Sequence, residues 1–410
     1  MENTSVAALA WDVGPHFTTV FVRLLNHPRG LLRAATLAAD LRLGTLAMGQ
    51  AGVSGRAGQA GDAGQAGVSG RAGQARDSGS SGHCIFTAYG PPGPLNYAAF
   101  FFTFLLFFIT IFANISLMLV IYLESHLHKP MYIFLFNLAV NGLIGCLSVC
   151  PKIMDNLVND IKDISHKGCL LQVFFSSVYA TCAYVILAVM AYDRYVSICK
   201  PLQYHSIMTP SKVKMLVALV YFIPITMLAF QIFITSRLPV CSYNINKLFC
   251  DNLSVVKLSC VESALSNLYG ICMIASLVVL PFVLVVLSYI KILLVCLKVS
   301  KESQTKAFNT CAPHLITFIN FSTAILFSVI YNRHSTVSKE VNVLISVQSI
   351  LFPPLVHPII YGIRTKEIRT CITKIIRTRI FSNSLDFPHL KSKRKLVPIM
   401  TLAAGQGLPV

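Results

Sequence analysis

The chain has 410 residues, 55% of them hydrophobic and only 12% charged, with a formal net charge of +18. Soluble domains carry about a quarter charged residues, so this composition excludes an ordinary soluble globular protein and has to be read against a bilayer. The positive charge does not point to nucleic acid, because much of it sits in short segments between apolar runs, where anionic headgroups and an intracellular partner account for it.

The first 94 residues read as an N-terminal extension. Asn3-Thr4-Ser5 is an N-glycosylation acceptor, and 17–46 mixes Leu, Ala and Arg without the uninterrupted apolar core and cleavage site of a signal peptide. The sequence GQAGVSGRAGQA at 49–60 recurs at 64–75. That low-complexity composition has no apolar period able to offset the entropy of ordering, so about 48–82 is expected to be disordered.

Seven apolar runs follow at 98–123, 131–151, 169–192, 215–236, 263–290, 307–332 and 341–363, none containing Asp, Glu, Lys or Arg. A spanning helix needs about 20 such residues, because lipid offers the backbone no hydrogen-bond partner. One run alone would fit a buried core helix; seven in succession predict an all-α membrane protein, a bundle of seven transmembrane helices over 95–363. Lys129, Arg194, Lys200, Lys212, Lys214 and the basic residues of 291–306 and 364–379 fall on one side. The other side has fewer, interleaved with acids such as Asp155, Asp163 and Asp251. Basic loops stay in the cytosol, which places the N-terminus outside the cell and the 364–410 tail inside, with 364–379 as a short helix on the inner leaflet. Cys371 in that segment is a candidate for lipid attachment.

Of thirteen cysteines, several lie within the spans and behave as small apolar groups. Cys169, Cys241, Cys250 and Cys260 lie at the outer surface, where disulfides are expected. Four cysteines allow three pairings, and spacing does not choose among them.

The third run ends in Met190-Ala191-Tyr192-Asp193-Arg194-Tyr195-Val196-Ser197-Ile198-Cys199-Lys200-Pro201-Leu202. This resembles the MAYDRYVAICxPL signature of olfactory receptors, a branch of the rhodopsin-like G-protein-coupled receptors. Leu127-His128-Lys129-Pro130-Met131-Tyr132 is similar to their LHxPMY, Ser288-Tyr289 and Lys306-Ala307-Phe308-Asn309-Thr310-Cys311-Ala312-Pro313-His314-Leu315 to their fifth- and sixth-helix motifs, and Pro358-Ile359-Ile360-Tyr361-Gly362 to the seventh. The likeness covers about 95–380, and Phe249-Cys250-Asp251-Asn252 with Leu258-Ser259-Cys260 looks most like the fish-type members.

The resemblance implies a receptor for a small-molecule odorant that activates a heterotrimeric G protein and raises cyclic AMP, with no cofactor and no enzymatic step. It implies the pairs Cys169–Cys250 and Cys241–Cys260. It also assigns coupling and activation to Asp193, Arg194, Tyr195, Tyr289, His314, Pro358 and Tyr361, with Asp193 restraining Arg194 at rest. Three positions depart from the pattern: Gly142 replaces an Asp and puts a sodium site in doubt, His357 replaces an Asn, and Ala113 replaces a Gly.

For the ligand, Ser176, Ser177, Ala180 and Thr181 recur at helical spacing in the outer half of the third run. Met273 and Leu277, Ile325 and Val329, and Val347 and Ile350 are candidates to face them from the fifth, sixth and seventh runs. Ordinary helix packing accounts for each of these positions equally well. Transporters often show repeats among their spans or midplane charges, and the seven runs show neither clearly. A light-sensing pigment needs a Lys in the seventh run, which has none, and an amine receptor usually an acid where Ser176 stands. The sequence also shows no Ser/His/Asp arrangement, phosphate loop or metal-ligand spacing.

Overall fold

The computed structural model describes residues 82–333 and 348–385, with side chains for 82–328 and 348–375. The expectations for Asn3, for the repeat at 49–75 and for the tail beyond 385 lie outside the described residues.

Long helices dominate. They are α1 (Pro94–Leu123), α2 (Pro130–Val158), α3 (His166–Cys199), α4 (Pro210–Ser236), α5 (Ala264–Cys296), α6 (Lys301–Arg333), α7 (Phe352–Arg364) and α8 (Lys366–Leu385). Among the described residues, six are long and apolar enough to cross a membrane, and α7, with helical residues 348–350 before it, is the described part of the seventh. Residues 341–347 of the predicted seventh run lie outside the described residues.

The helices begin where local chemistry favours it. Pro94, Pro130 and Pro210 occupy first-turn positions, where a missing N–H costs no intrahelical bond. The side chains of Ser165, Thr209 and Ser263 accept from the backbone N–H three residues on, satisfying donors that the first turn leaves open. Most helices outrun their predicted spans; α2 continues through Pro151 to Val158 and α3 runs from His166 to Cys199. A charge-free window stops at the first ionisable residue, whereas a helix continues into the headgroup layer. Within α5 the turn Ala275–Val279 is π-helical just before Pro281. Proline has no N–H to return to the carbonyl four residues back, and the preceding turn widens.

The bundle is apolar outside and more polar within. Phe101, Phe102 and Phe112 on α1 and Leu284, Leu287 and Leu294 on α5 are exposed, while Asn114, Asn141, Gln231 and His314 are buried. In lipid, polar side chains act as glue between helices. The Asn114 amide donates to the carbonyls of Thr110 (2.8 Å) and Pro354 (2.9 Å), joining α1 to α7. Asn141 donates to Tyr179 O at 2.8 Å, and the Tyr221 hydroxyl to Asn137 O at 3.2 Å. At Gly145 a Cβ would lie 2.4 Å from the Tyr179 ring, so only glycine allows α2 this close to α3. A Cβ at Gly142 would meet Asn114 Oδ1 at 3.3 Å and Pro354 Cβ at 3.5 Å.

At the end of the bundle that carries the disulfides, three short strands modify the all-α expectation. β1 (His83–Phe86) pairs antiparallel with β2 (Asp163–Ser165) and parallel with β3 (Asn244–Ile245), giving the order β2-β1-β3. Alternation along β1 turns Cys84 and Phe86 inward. They pack with Tyr89, Ile245, Leu248, Phe249, Val255 and Leu258 onto Val149, Ile153, Val173 and Ile350 of the helices. The Tyr89 hydroxyl donates to Leu248 O at 2.5 Å. Residues 83–93, placed by the sequence in the N-terminal extension, thus form part of this cap.

Candidate functional site

Two disulfides, Cys169–Cys250 and Cys241–Cys260, hold the cap; these are the two pairs implied by the resemblance. The first fastens the α4–α5 connection to the start of α3. Beside it the Gln172 side chain accepts from Cys250 N (2.9 Å) and donates to Ser148 O (3.1 Å), so one residue ties α2, α3 and this connection together. Asn252 sits in the first turn of a short helix, Asn252–Val256, and accepts from the Thr235 hydroxyl at 3.0 Å.

Below the cap, the ligand candidates separate. Ser176 is buried and donates to Val173 O at 3.2 Å, and Thr181 donates to Ser177 O at 2.8 Å. Both hydroxyls spend their hydrogen on their own helix and present lone pairs to anything beside them. Ser177 and Ala180 are half-buried next to them. Met273 and Leu277 pack with Val178, Cys182 and Leu228 in an apolar cluster between α3, α4 and α5. Ile350 lies in the core under the cap. Ile325 is half-buried on α6, while the Val329 side chain and Val347 lie outside the described residues.

At the opposite end, α3 brings Asp193 and Arg194 to the bundle's edge. Asp193 is fully buried, and its carboxylate accepts from Arg194 Nη2 at 3.1 Å and from the Tyr204 hydroxyl at 2.8 Å. Tyr204 opens the short helix Tyr204–Ile207, after the turn Pro201–Gln203. Burial first, and then the Asp193 carboxylate, push the Tyr204 phenol above its ordinary range, so it remains a donor at physiological pH. Tyr204 was missed in the sequence because a tyrosine eleven positions beyond Asp193 has no reason to face it until the chain turns back at Pro201.

A second link crosses three helices. His314 on α6 is buried, with Nε2 3.0 Å from Leu187 O of α3 and Nδ1 2.7 Å from the Tyr289 hydroxyl of α5. A carbonyl only accepts, so Nε2 carries the hydrogen; in the neutral ring Nδ1 then accepts from Tyr289. The two rings also stack, with centroids 5.7 Å apart. Tyr195 lies under the Lys291 ammonium at 5.8 Å. Pro358 and Tyr361 are buried on α7, the first next to His357 and the second one turn beyond it, and the His357 ring meets Phe321 edge-on at 5.8 Å. Asp193 and Arg194 are therefore in direct contact, as are Tyr289 and His314, and Tyr361 is buried on α7.

Comparison with known proteins identifies the family. The family profile described as olfactory receptor matches residues 102–379. Human Olfactory receptor 56A5 is 38% identical over 282 residues, covering 67% of this chain and 88% of that protein. Human Olfactory receptor 52K2 is 36% identical, covering 64% and 85%, and rat Olfactory receptor 1 is 33% identical, covering 70% and 93%. In fold, the chain is similar to squid rhodopsin, with a TM-score of 0.59 at 14% identity, covering 73% of this chain and 92% of that one. The chain belongs to the olfactory receptor family of G-protein-coupled receptors, as a multi-pass, non-enzymatic protein of the plasma membrane.

Proposed function

We propose that this odorant receptor senses a small organic or water-soluble chemical at its disulfide-capped end and raises cyclic AMP through an olfactory-type stimulatory G protein at its Arg194 end. In this reading the N-terminus is outside the cell and the tail after α7 is cytosolic, as the basic loops favour.

The observation that supports this most directly is the pair of latches on α3. Asp193 and Tyr204 occupy the Arg194 neighbourhood, and His314 bridges Leu187 to Tyr289. Both latches belong to a resting packing in which Arg194 is held by its own neighbour. A ligand that prefers a second packing shifts the population toward it by as much as its differential affinity allows. Helix displacement at the Arg194 end then frees the guanidinium for the G protein, and Tyr289 and Tyr361 repack around it. The α3 face of Ser176, Ser177, Ala180 and Thr181 supplies oxygen lone pairs in an otherwise apolar setting, which suits a small molecule with one or two hydrogen-bond donors.

The test is cyclic AMP output from cells expressing the full chain with a stimulatory G protein, screened against amino acids, bile-acid-like compounds and small volatiles. A response that disappears in Arg194→Ala at equal surface display supports the reading. A response that Arg194→Ala leaves intact overturns it.

A further inference from the structure

Among the described residues, Glu124, His126 and Cys371 each bring one potential ligand atom within 4.8 Å of the others. We propose that these three side chains form a site for one divalent cation of the zinc class, clipping the turn after α1 to helix α8.

The three come from parts of the chain that the fold alone unites. Glu124 caps the end of α1, and His126 lies in the one-turn helix Ser125–Leu127 that follows. Cys371 is 245 residues away from His126, on α8. The scaffold beneath is firm: Leu127 and Ile368 are fully buried, and Leu127 N donates to Glu124 O at 2.9 Å. Cys371 Sγ stands 3.3 Å from His126 Nε2, and Glu124 Oε2 stands 3.5 Å from His126 Nδ1. Tetrahedral zinc, with bonds of about 2.0–2.3 Å to oxygen, nitrogen and sulfur, holds its ligand atoms at about such separations. A single ring nitrogen has to serve. The His126 side chain is 55% exposed, so it can turn to place one nitrogen between thiol and carboxylate without disturbing the core.

The donor set decides the class of ion. Thiolate and imidazole favour zinc, cobalt and cadmium, whereas magnesium and calcium prefer oxygen alone. On binding, the Cys371 thiol gives up its proton to solvent and forms a sulfur–metal bond, with no change of oxidation state. Thiolate and carboxylate together balance the two positive charges. Lys374, whose Nζ lies 3.2 and 3.4 Å from the Glu124 oxygens, moves off the oxygen that turns to the metal. Three protein ligands leave a fourth position for water. The same geometry answers the expectation of a lipid on Cys371: that thiol is 2% exposed and turned toward His126 rather than outward.

The test uses the full-length receptor without a histidine tag, with its two disulfides intact and its free thiols unoxidised, in lipid nanodiscs, titrated with cobalt(II) and then zinc. The expected result is a thiolate-to-cobalt charge-transfer band that saturates at one ion per receptor and is discharged by zinc. Cys371→Ser should abolish the band, and His126→Ala should weaken zinc binding by more than about 100-fold. His128→Ala should keep both, since that ring lies against Tyr122 O at 3.3 Å and not in the cluster. Thermal unfolding of each variant without metal checks that the bundle is intact, which the exposed position of His126 favours. A band that survives Cys371→Ser, wild-type zinc affinity in His126→Ala, or no band in the unmodified receptor would each overturn the proposal.

Discussion

The Tyr204 hydroxyl donates to Asp193 Oδ1 at 2.8 Å, on the opposite side of the carboxylate from Arg194. Asp193 is therefore clamped between its helical neighbour and a loop residue, and the loop between α3 and α4 is part of the resting latch. Tyr204→Phe removes one charge-assisted bond, a loss of about 1.5–3 kcal/mol from the packing that contains it. Basal cyclic AMP should rise while surface display is kept. Unchanged basal output in the variant would show that the loop does not hold the latch.

The two disulfides should differ in weight. Cys169 and Cys250 are separated by 81 residues and Cys241 and Cys260 by 19. Loop-closure entropy makes the longer link worth roughly 1 kcal/mol more, within a typical total of about 2–5 kcal/mol for either. Thermal unfolding of the purified receptor should fall further for Cys169→Ser than for Cys241→Ser. The reverse order would mean that the smaller loop, and not the fastening of the α4–α5 connection to α3, dominates the cap.

Glycine positions on α2 give a matched pair. A Cβ at Gly145 would meet the Tyr179 ring at 2.4 Å, whereas one at Gly142 would meet Asn114 Oδ1 at 3.3 Å. Overpacking of this kind costs about 1–3 kcal/mol, most where a ring has no room to move, and Tyr179 is among the most buried side chains of the bundle. Gly145→Ala should lower surface expression and unfolding temperature clearly, and Gly142→Ala only slightly. Equal behaviour of the two would contradict the close approach of α2 and α3.

The cap should weaken in acid. Burial alone would raise the Asp251 carboxyl; the ammonium of Lys247, its hydrogen bond, and the side chain and N–H of Ser254 outweigh it and hold Asp251 below its ordinary value of 3.8. A carboxyl with a lowered folded-state value contributes stability that is present above the unfolded value and disappears as pH falls through the folded one. Unfolding temperature should therefore drop below about pH 4, and Asp251→Asn should flatten that decline. A variant with the same acid limb as the parent would assign the loss to other groups.

The helical spans and the receptor motifs could be read along the chain because each signal is contiguous or regularly spaced, whereas the two disulfide pairs followed only from the family resemblance, since spacing does not choose among three pairings. Apolar runs free of charge mark spans, and Asp193-Arg194-Tyr195 with its flanks marks the end of α3. Helix ends were less legible: α2 runs past Pro151 and α3 begins at His166, since neither a proline nor a charge stops a helix that has reached the headgroups. The candidate ligand positions were legible only as helical periodicity. Periodicity gives a residue's angle on its own helix and not the neighbour it meets, which is why Met273 and Leu277 turn out to pack against Val178, Cys182 and Leu228.

The sequence by itself determined that this chain crosses a bilayer on helices, because apolar runs of about 20 residues satisfy their backbone in lipid by an intrahelical ladder; its motifs supplied the receptor family by resemblance. Tertiary structure alone decided which distant groups meet: β1 between β2 and β3, Tyr204 against Asp193, Gln172 between Ser148 and Cys250, and Cys371 beside His126. Each of those contacts joins elements whose separation along the chain is arbitrary. Their meeting is set by how the helices pack and where the loops return, and neither is written in any local pattern.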